Sequence, residues 1–430
     1  MSLTFARAIA SFGGDARGEV RLPRRKRISR MPSSPTIVFY QSSPRHLYGG
    51  QLDILRFFAS YDPARLRPVV LAPMEGAFTE RVRALGLPLQ IMPLPAELAQ
   101  TGGALLQGSV WDRIRQSALL TPWSLKLARW LRRIQADVVY ANNRRAVLTL
   151  GPGAHLARKP LFWHIKQDRD HGRMDKLAMR LITSAACCSR DVQQAFQQRH
   201  PAYAGRLGYA PNGVPLDEFS GPGPDMRRAL EIPPDAPVIG LAGSVTPRKG
   251  VDLFVEAALR LTRFHPRAHF ILAGDAPTAH TDFRREILAR AQPLIEAGRF
   301  HALGWLADMP AFYRTIDILV LPSRIEGFGL AVIEAAAAGV PAVRSASGGH
   351  TESTIDGETG FVVPVDDLDA LTDRLARLLA DDVLRKRMGE AARAYALTHF
   401  SLDHFVDALT EALLMISRKE AKAQRLITEH

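Results

Sequence analysis

The sequence predicts an α/β protein with two doubly wound parallel sheets, one in each half of the chain. From Thr36 onward, short apolar runs alternate with longer helical stretches, which is the pattern of parallel strands covered by helices on both faces. This alternation occurs twice, and residues 205–223, which are rich in glycine and proline, separate the two occurrences. The chain has 430 residues, 47% of them hydrophobic, so it exceeds one usual core and can fill two. We therefore expect two Rossmann-like domains.

The individual strands are predicted from apolar runs bounded by turn residues. In the first half these runs are residues 36–40, 68–71, 89–92, 138–140, 161–163 and 185–188. In the second half they are residues 238–241, 269–272, 299–303, 318–321, 342–343 and 361–363. The stretches between them predict helices, and residues 402–427 predict an amphipathic helix at the end of the chain.

These elements divide the chain into four parts. Residues 34–208 form the first expected domain, residues 209–395 form the second, and residues 396–430 supply the C-terminal helices. Residues 1–33 precede the first strand and contain a basic run, so we expect a disordered extension there. A start at Met31 would remove that extension.

The positive charge is concentrated in the first half of the chain. The net charge is +13, but residues 1–200 hold 31 Lys and Arg against 13 Asp and Glu, and the remainder holds 25 against 30. An anionic membrane surface, an acidic substrate, a nucleic acid or a solvated basic face would each account for this. No recognised nucleic-acid module appears, so we expect no nucleic-acid partner and keep a basic nucleic-acid-binding protein as the alternative of another class.

The sequence shows no sign of membrane insertion or secretion, and its cysteines predict neither a disulfide nor a metal site. No apolar run approaches the roughly eighteen residues of a membrane span, and the start lacks the apolar centre of a signal peptide. A cytoplasmic protein is therefore expected. The two cysteines, Cys187 and Cys188, are neighbours on a predicted strand and point to opposite faces, so neither a disulfide nor a metal site is predicted.

The most informative segment is residues 326–334, in which Glu326 and Glu334 flank a glycine-rich turn. A strand is predicted just before it, and a helix is predicted from Leu330 onward. The backbone N–H groups that open this helix favour an anion such as a diphosphate, and the glycines let the backbone approach it closely. Glu334 lies on a highly apolar helix, where a carboxylate needs a partner such as a sugar hydroxyl.

A second glycine-flanked loop, residues 243–250, follows the strand predicted at residues 238–241. Arg248 and Lys249 stand immediately before the glycine that closes this loop. Lys249 would act as a point charge that stabilises the negative charge of a diphosphate. The structural alternative is a lysine that only caps a surface loop.

The first half offers candidates at the ends of three predicted strands. Ligands of open parallel sheets bind beyond the carboxyl ends of the strands, so these positions are where a site is expected. The candidates are Gly49 and Gly50 after Tyr48 near the first strand, Asn142 and Asn143 after the fourth, and His164 at the end of the fifth. The two asparagines would line an acceptor pocket, whereas a single histidine is more often structural than functional.

Together, these motifs resemble the donor-site block of the family-4 glycosyltransferases. The block starts at residues 326–334 and continues through Gly339-Val340-Pro341 and residues 348–353 and 356–361. Other segments follow in the family's order: Asn212-Gly213-Val214 with Phe219, residues 243–250, Ala273-Gly274-Asp275 and Leu303-Gly304-Trp305. The resemblance is dense from about residue 209 to residue 395 and thinner before that.

The resemblance implies a GT-B fold, in which two Rossmann-like domains face a central cleft and the last helices cross back onto the first domain. It implies a retaining transfer of a hexose-type sugar from a nucleoside-diphosphate sugar to a glycan or lipid-linked acceptor, without a metal or other cofactor. A front-face substitution is the usual proposal for this family, so Glu326 and Glu334 should position the donor and should not be read as a hydrolase pair. The implied setting is glycan or glycolipid assembly in the cytoplasm or at the cytoplasmic face of a membrane.

The resemblance also assigns roles to residues. Glu326 would hold hydroxyls of the transferred sugar, Glu334 would hold the ribose hydroxyls, and main-chain groups near Gly304 and Trp305 would meet the base. The expected catalytic set is His164, Lys249 and Glu326. The expected donor-binding set is Gly49, Gly50, Gly243, Ser244, Arg248, Lys249, Gly274, Gly304, Trp305, Glu326, Gly327, Phe328, Gly329, Leu330 and Glu334.

One position departs from the family pattern. Ser244 stands where many relatives carry an arginine after the glycine. This departure leaves the phosphate charge to Lys249 and Arg248.

Two other segments allow competing interpretations. Asp168-Arg169-Asp170 spells the metal-binding signature of the GT-A fold, but so short a match is better explained as a solvated loop. Residues 111–134 combine three tryptophans with six cations, which is typical either of a helix resting on an anionic bilayer or of a helix packed on the sheet.

Two other kinds of enzyme that could share this two-domain fold are kept as alternatives. A nucleotide-sugar epimerase would need no acceptor, and a glycan phosphorylase would need pyridoxal phosphate.

Overall fold

The computed structural model describes residues 34–45, 47, 49–100 and 109–428. The expected N-terminal extension, residues 1–33, lies outside the described residues, as does Tyr48 in the first glycine loop. The chain divides into two compact units. The first unit ends at Gly213 and also includes the residues from Leu402 onward, and the second unit is Val214–Ser401.

The first unit contains a sheet of seven parallel strands in the order β3-β2-β1-β4-β5-β6-β7. The strands are β1 (Thr36–Tyr40), β2 (Arg67–Ala72), β3 (Leu89–Ile91), β4 (Val138–Ala141), β5 (Leu161–Ile165), β6 (Ser184–Cys187) and β7 (Leu207–Tyr209). The sequence predicted the first six. It assigned β7 to the linker, because a strand of three residues with a glycine at its centre shows no apolar run.

Helices cover both faces of this sheet. They are α1 (Gly49–Ser60), α2 (Ala77–Ala84), α3 (Ala96–Gln100), α4 (Val110–Arg133), α5 (Arg144–Leu156), α6 (Arg173–Leu181) and α7 (Arg190–Arg199). Side-chain caps fix several helix starts, since Ser109, Asn143 and Ser189 accept a backbone N–H at the beginning of α4, α5 and α7. Each such cap stabilises its helix by about 1 kcal/mol.

The second unit contains a sheet of six parallel strands in the order β10-β9-β8-β11-β12-β13. The strands are β8 (Val238–Ala242), β9 (His269–Ala273), β10 (Phe300–Gly304), β11 (Ile318–Leu321), β12 (Ala342–Ser345) and β13 (Gly360–Val363). The helices are α8 (Leu216–Ser220), α9 (Val251–Leu261), α10 (Thr281–Glu296), α11 (Met309–Thr315), α12 (Leu330–Ala337), α13 (His350–Ser353), α14 (Leu368–Ala380) and α15 (Asp382–His399). All six strands coincide with predicted apolar runs.

The last helix, α16 (Leu402–Thr428), belongs to the first unit. Its residues Phe405, Leu409 and Leu413 are buried in one core with Phe57 of α1. The boundary before it falls between Ser401 and Leu402, later than residue 395, because α15 and the following Phe400 remain packed in the second unit. No helix among the described residues is both long enough and apolar enough to cross a membrane.

Candidate functional site

The second sheet has a topological switch point between β8 and β11. The chain leaves β8 towards β9 and β10 on one side, and β11 pairs with β8 on its other side. In open parallel sheets, ligands bind at the carboxyl ends of the strands next to such a point. The loop after β8, residues 243–250, and the loop after β11, residues 322–329, therefore lie side by side where a ligand is expected.

Lys249 and Glu326 meet across these two loops. Lys249 Nζ lies 2.6 Å from Glu326 Oε2, and the two side chains are only 14% and 11% exposed. The Ser323 hydroxyl lies 3.2 Å from the same carboxylate oxygen, and the Gly327 N–H is directed to the other oxygen. The sequence singled out both charged residues but gave no sign that they form an ion pair.

Glu326 is ionised despite its burial. Burial alone raises the pKa of this carboxyl, but the charges of Lys249 and Arg248, together with hydrogen bonds from Lys249 and Gly327, outweigh it and lower the pKa to about 2. A carboxylate that is charged and held in place can accept hydrogen bonds from the hydroxyl groups of a ligand.

Arg248 supports the backbone of the glutamate loop. Its guanidinium donates to the Ile325 carbonyl at 2.7 Å, and its own carbonyl accepts the Arg324 N–H at 2.8 Å. Arg248 was predicted as a phosphate ligand, and the structure shows that one of its nitrogen atoms is engaged in holding the loop. Its charge still contributes to the low pKa of Glu326.

The carboxyl ends of β8, β9 and β10 are joined through glycine backbones. The Gly274 N–H donates to the Gly304 carbonyl at 2.7 Å, and the Gly243 N–H donates to the Ala273 carbonyl at 2.9 Å. A Cβ atom at Gly274, whose φ is +142°, would lie 1.9 Å from the Gly243 carbonyl oxygen. The structure thus brings Gly243, Gly274 and Gly304 together, and Gly274 admits no side chain.

The glutamate loop leads into α12 through a left-handed glycine. Gly329, with φ +88°, immediately precedes the helix, which begins at Leu330. Phe328 is buried and packs edge-on against Phe400 at a ring distance of 5.4 Å. The loop is therefore anchored in the core of the unit, while the first backbone N–H groups of α12 form a helix N-terminus suited to an anion.

Glu334 is half-buried on α12 and has a partner that the sequence did not indicate. The Tyr313 hydroxyl on α11 donates to Glu334 Oε2 at 2.9 Å. Tyr313 is fully buried, so its ring holds this carboxylate in place. The one sequence signal for such a partner is that a half-buried carboxylate needs a hydrogen-bond donor, and this signal does not identify Tyr313.

The remaining candidates of the second unit lie on loops at the same edge of the sheet. Ser244 is half-buried directly after Gly243. Trp305 follows Gly304 and is 59% exposed, which makes it a large aromatic surface available to a planar ligand group.

His164 lies inside β5 and not at its end, which corrects the predicted position. It is fully buried, its Nδ1 is 2.9 Å from the Tyr140 hydroxyl, and its ring stacks on Phe405. Burial and the charge of Lys166 lower its pKa well below the usual value, so the imidazole is neutral. Because the ring is enclosed by the core, we assign it no contact with substrate.

The two asparagines after β4 have structural partners. Asn143 accepts the Ala146 N–H as the cap of α5 and donates to the Ser42 hydroxyl. Asn142 donates to the Gln41 side chain at 2.6 Å. These bonds join the ends of β1 and β4 and hold both side chains in place, and their place in an acceptor pocket stays a prediction.

Gly49 and Gly50 form the first turn of α1, whereas the sequence predicted a glycine loop there and a helix only from Gln51 onward. Asp53 lies one turn further along and is buried, and Lys166 Nζ lies 2.8 Å from its carboxylate. The sequence did not single out this ion pair, because neither residue belongs to a recognisable motif.

Both carboxylates of the Asp168-Arg169-Asp170 segment have partners within the protein. Asp168 pairs with Arg199, and Asp170 accepts the Gly172 N–H in a local turn. No cluster of three or more metal-ligating side chains occurs within residues 34–100 and 109–428 as far as they are described. The segment was predicted to be a solvated loop, and in the structure it is a loop in which Asp168 is held by Arg199.

The chain is similar in sequence to known glycosyltransferases. The family model of the glycosyl transferases, group 1, matches residues 224–395. The chain is 34% identical over 194 residues to the lipopolysaccharide core biosynthesis mannosyltransferase LpsB of Rhizobium meliloti, over 45% of this chain and 54% of that protein. It is 33% identical to the GDP-mannose-dependent alpha-(1-6)-phosphatidylinositol monomannoside mannosyltransferase of Mycolicibacterium smegmatis, over 50% and 58%. The chain thus spans about half the length of these curated relatives.

Similarity to solved structures extends over both units. The crystal structure of HepE from Anabaena in complex with UDP aligns with a TM-score of 0.73 at 22% identity, over 88% of this chain and all of that one. The sucrose-phosphate synthase of Thermosynechococcus elongatus aligns with a TM-score of 0.68 at 19% identity, over 92% and 99%. The predicted fold class is confirmed: the chain has the GT-B fold of two Rossmann-like units, and residues 224–395 carry the sequence pattern of the group 1 glycosyl transferases.

Proposed function

We propose that this protein is a retaining glycosyltransferase of family 4 that moves a hexose-type sugar from a nucleoside-diphosphate sugar to a glycan or glycolipid acceptor. The observation that carries the proposal is the ion pair of Lys249 and Glu326 at the switch point of the second sheet. A buried cation and a buried carboxylate in contact there match the two halves of a sugar nucleotide, which are an anionic diphosphate and a neutral polyol.

The donor site is argued from charge and from backbone geometry. Lys249 and the N-terminus of α12 supply positive potential for the diphosphate, and Glu326 remains ionised to accept bonds from sugar hydroxyls. A diphosphate bound beside Glu326 would share Lys249 with it, so that the leaving group would be stabilised by a charge already in place. Trp305 and Glu334 would then contact the base and the ribose.

The relatives support a hexose donor. LpsB is named as a mannosyltransferase, the relative from Mycolicibacterium smegmatis is named as dependent on GDP-mannose, and HepE has been crystallised with UDP-glucose. Retention of configuration is part of the proposal because the motifs around Glu326 resemble those of the retaining family 4. No residue role in the proposal requires a metal or another cofactor.

A lipid-linked acceptor is supported by the exposed face of α4. Trp123 and Trp130 are buried, whereas Trp111 is 79% exposed, and the helical period puts the exposed Ile114 and Leu125 on the same side of the helix as Trp111. The exposed cations of the same face are Arg115, Lys126, Arg129 and Arg133. An aromatic and apolar face bordered by cations fits the surface of an anionic membrane, where a glycolipid acceptor would be found.

A transfer assay tests the function. The purified protein would be incubated with labelled GDP-mannose or UDP-glucose and a bacterial lipid and lipopolysaccharide-core extract, and the configuration of the new linkage determined by NMR. We expect labelled glycolipid or glycan with the donor's anomeric configuration, and loss of the product in Glu326→Gln. An inverted linkage would contradict retention. Epimerised sugar nucleotide, formed without acceptor, would favour an epimerase instead.

A further inference from the structure

A fully buried arginine lies directly beneath the glutamate loop. Arg344, on β12, is 0% exposed. Its guanidinium donates to the carbonyls of Phe328 at 3.3 Å and Ser347 at 2.7 Å and to the hydroxyl of Ser353. One side chain thus connects the loop before α12, the loop after β12, and α13.

The contact with Phe328 fixes the direction of a specific backbone N–H group. A trans peptide unit is planar, so its C=O and N–H point in opposite directions. Because the Phe328 carbonyl is directed to Arg344, the Gly329 N–H of the same peptide unit points away from Arg344. The Gly327 carbonyl accepts the Gly349 N–H at 2.8 Å, so the Phe328 N–H likewise points away from Gly349.

Space at Gly329 adds to this arrangement. A Cβ atom at Gly329 would lie 3.1 Å from the Arg344 guanidinium, so the backbone rests closely on the arginine. The hydroxyl of Ser353 also donates to the Gly349 carbonyl at 2.7 Å. Arg344 and Gly349 each hold one carbonyl of the glutamate loop, and Ser353 connects them because its hydroxyl contacts both.

We propose that Arg344 is a positioning residue for the donor diphosphate, which it serves by holding the N–H groups of Phe328 and Gly329 towards the phosphates. This inference rests on the proposed function. Arg344 does not itself contact the ligand; it acts through the peptide unit that it anchors. Lysine cannot replace it, because a single ammonium group cannot reproduce the planar fork that reaches three segments at once.

The test separates the phosphate part of the ligand from the nucleoside part. The dissociation constants of UDP, GDP, ADP and dTDP, and of the four matching nucleosides, would be measured by calorimetry for the wild type and for Arg344→Lys. We expect the diphosphate that the wild type binds to bind about tenfold more weakly to the variant, with less than twofold change for the matching nucleoside. If Arg344 only stabilised the fold, its replacement would weaken the binding of the diphosphate and of the nucleoside to the same extent.

Arg227→Lys is the matched control. Arg227 donates to the Ala236 carbonyl and pairs with Asp317, away from the carboxyl ends of the strands in the same unit. It should leave the affinities for both the diphosphate and the nucleoside unchanged. An equal effect of Arg227→Lys and Arg344→Lys would overturn the inference.

Two further outcomes distinguish this inference from the proposed function. If the wild type binds a diphosphate and Arg344→Lys binds it with the same affinity, this inference alone is overturned. If the wild type binds none of UDP, GDP, ADP and dTDP, both are overturned. If Arg344→Lys does not fold, Ser353→Ala replaces it, because it removes one acceptor of the guanidinium. We expect a twofold to threefold loss confined to the diphosphate in Ser353→Ala, and an unchanged affinity there would contradict the inference.

Discussion

Lys249 and Glu326 are 77 residues apart in the sequence, yet their side chains form a largely buried ion pair of 2.6 Å. They meet because β8 and β11 are neighbours in the second sheet and each residue lies on the loop that follows its strand. The pair is thus a product of the strand order. It places a cation and a carboxylate at the one edge of this sheet where a ligand is expected.

Removing both members of this pair should cost less than the two single removals added together. Glu326→Gln or Lys249→Met leaves the other charge buried without its partner, and each should lower the free energy of unfolding by about 3 kcal/mol. The double variant should lose clearly less than the sum of the two single losses. Denaturant unfolding of all four proteins measures this coupling, and strictly additive losses would show that the two charges do not interact in solution.

Two stacked histidines should make the second unit sensitive to mild acid. His269 and His301 face each other at a ring distance of 5.7 Å. The pKa of each is lowered to about 4: burial is the main cause for both rings, and the charges of His301 and Arg299 also contribute for His269.

Because the folded protein binds protons at these rings less readily than the unfolded chain, its stability should fall as the pH drops from about 6.5 to 4. Glu326 acts in another window: its lowered pKa of about 2 gives stability that is present above about 4.5 and is lost below it. Melting temperatures measured from pH 7.5 to 4.5 should therefore decline less steeply in His269→Gln/His301→Gln. Equal slopes in variant and wild type would contradict the pKa directions.

Glu334 should recognise the ribose. Tyr313 holds its carboxylate on α12, so Glu334→Ala should weaken binding of a nucleoside diphosphate about tenfold through the loss of charge-assisted bonds to the ribose hydroxyls. The affinity for the 2′,3′-dideoxy analogue should hardly change, because that ligand lacks both hydroxyls. Tyr313→Phe should give a smaller loss with the same ligand dependence. A loss of equal size for both ligands would argue that Glu334 supports the fold only.

The two glycines joined at the ends of β9 and β10 should differ in their tolerance of a side chain. Gly304→Ala should cost about 1 kcal/mol, because its φ is +68° but no atom lies within 4 Å of the added Cβ. Gly274→Ala should cost several times more, since its Cβ would collide with the Gly243 carbonyl. Thermal unfolding of the two variants decides this, and similar losses in both would contradict the close approach of these backbones.

The exposed face of α4 should mediate binding to anionic vesicles. Trp111→Ser/Ile114→Ser should reduce co-sedimentation with vesicles containing phosphatidylglycerol severalfold, and Arg129→Gln should reduce it mainly at low salt. Leu156→Ser, which changes an exposed leucine on α5, is the matched control. Vesicle binding that is unchanged in the α4 variants, or that is absent in the wild type, would remove membrane contact from the proposal.

Most strands and the loops after them were predicted correctly, because the apolar runs of buried parallel strands stand out from the helical stretches and several are followed by glycines. β11 and α12 were both located, and so Glu326 was placed correctly on the loop that joins them. β7 was missed, since its three residues carry no periodic pattern.

Side-chain partners were largely beyond sequence reasoning. Arg344 has the appearance of an ordinary surface residue in the sequence, and only the sheet shows that it is fully buried beneath the Phe328 carbonyl. His164 was expected just after a strand that ends at Trp163. In the structure β5 continues through His164 to Ile165, and His164 therefore lies in the core. Contacts of this kind depend on strand order and register, which a single sequence does not encode locally.

Calorimetric titration of the wild type and of Lys249→Ala with UDP, GDP, ADP and dTDP tests the central claim most directly. The account requires one of these nucleotides to bind the wild type and to bind Lys249→Ala at least about tenfold more weakly, because the lysine carries charge to the diphosphate. Absence of binding by all four, or equal affinity in the two proteins, would contradict a donor site at Lys249 and Glu326.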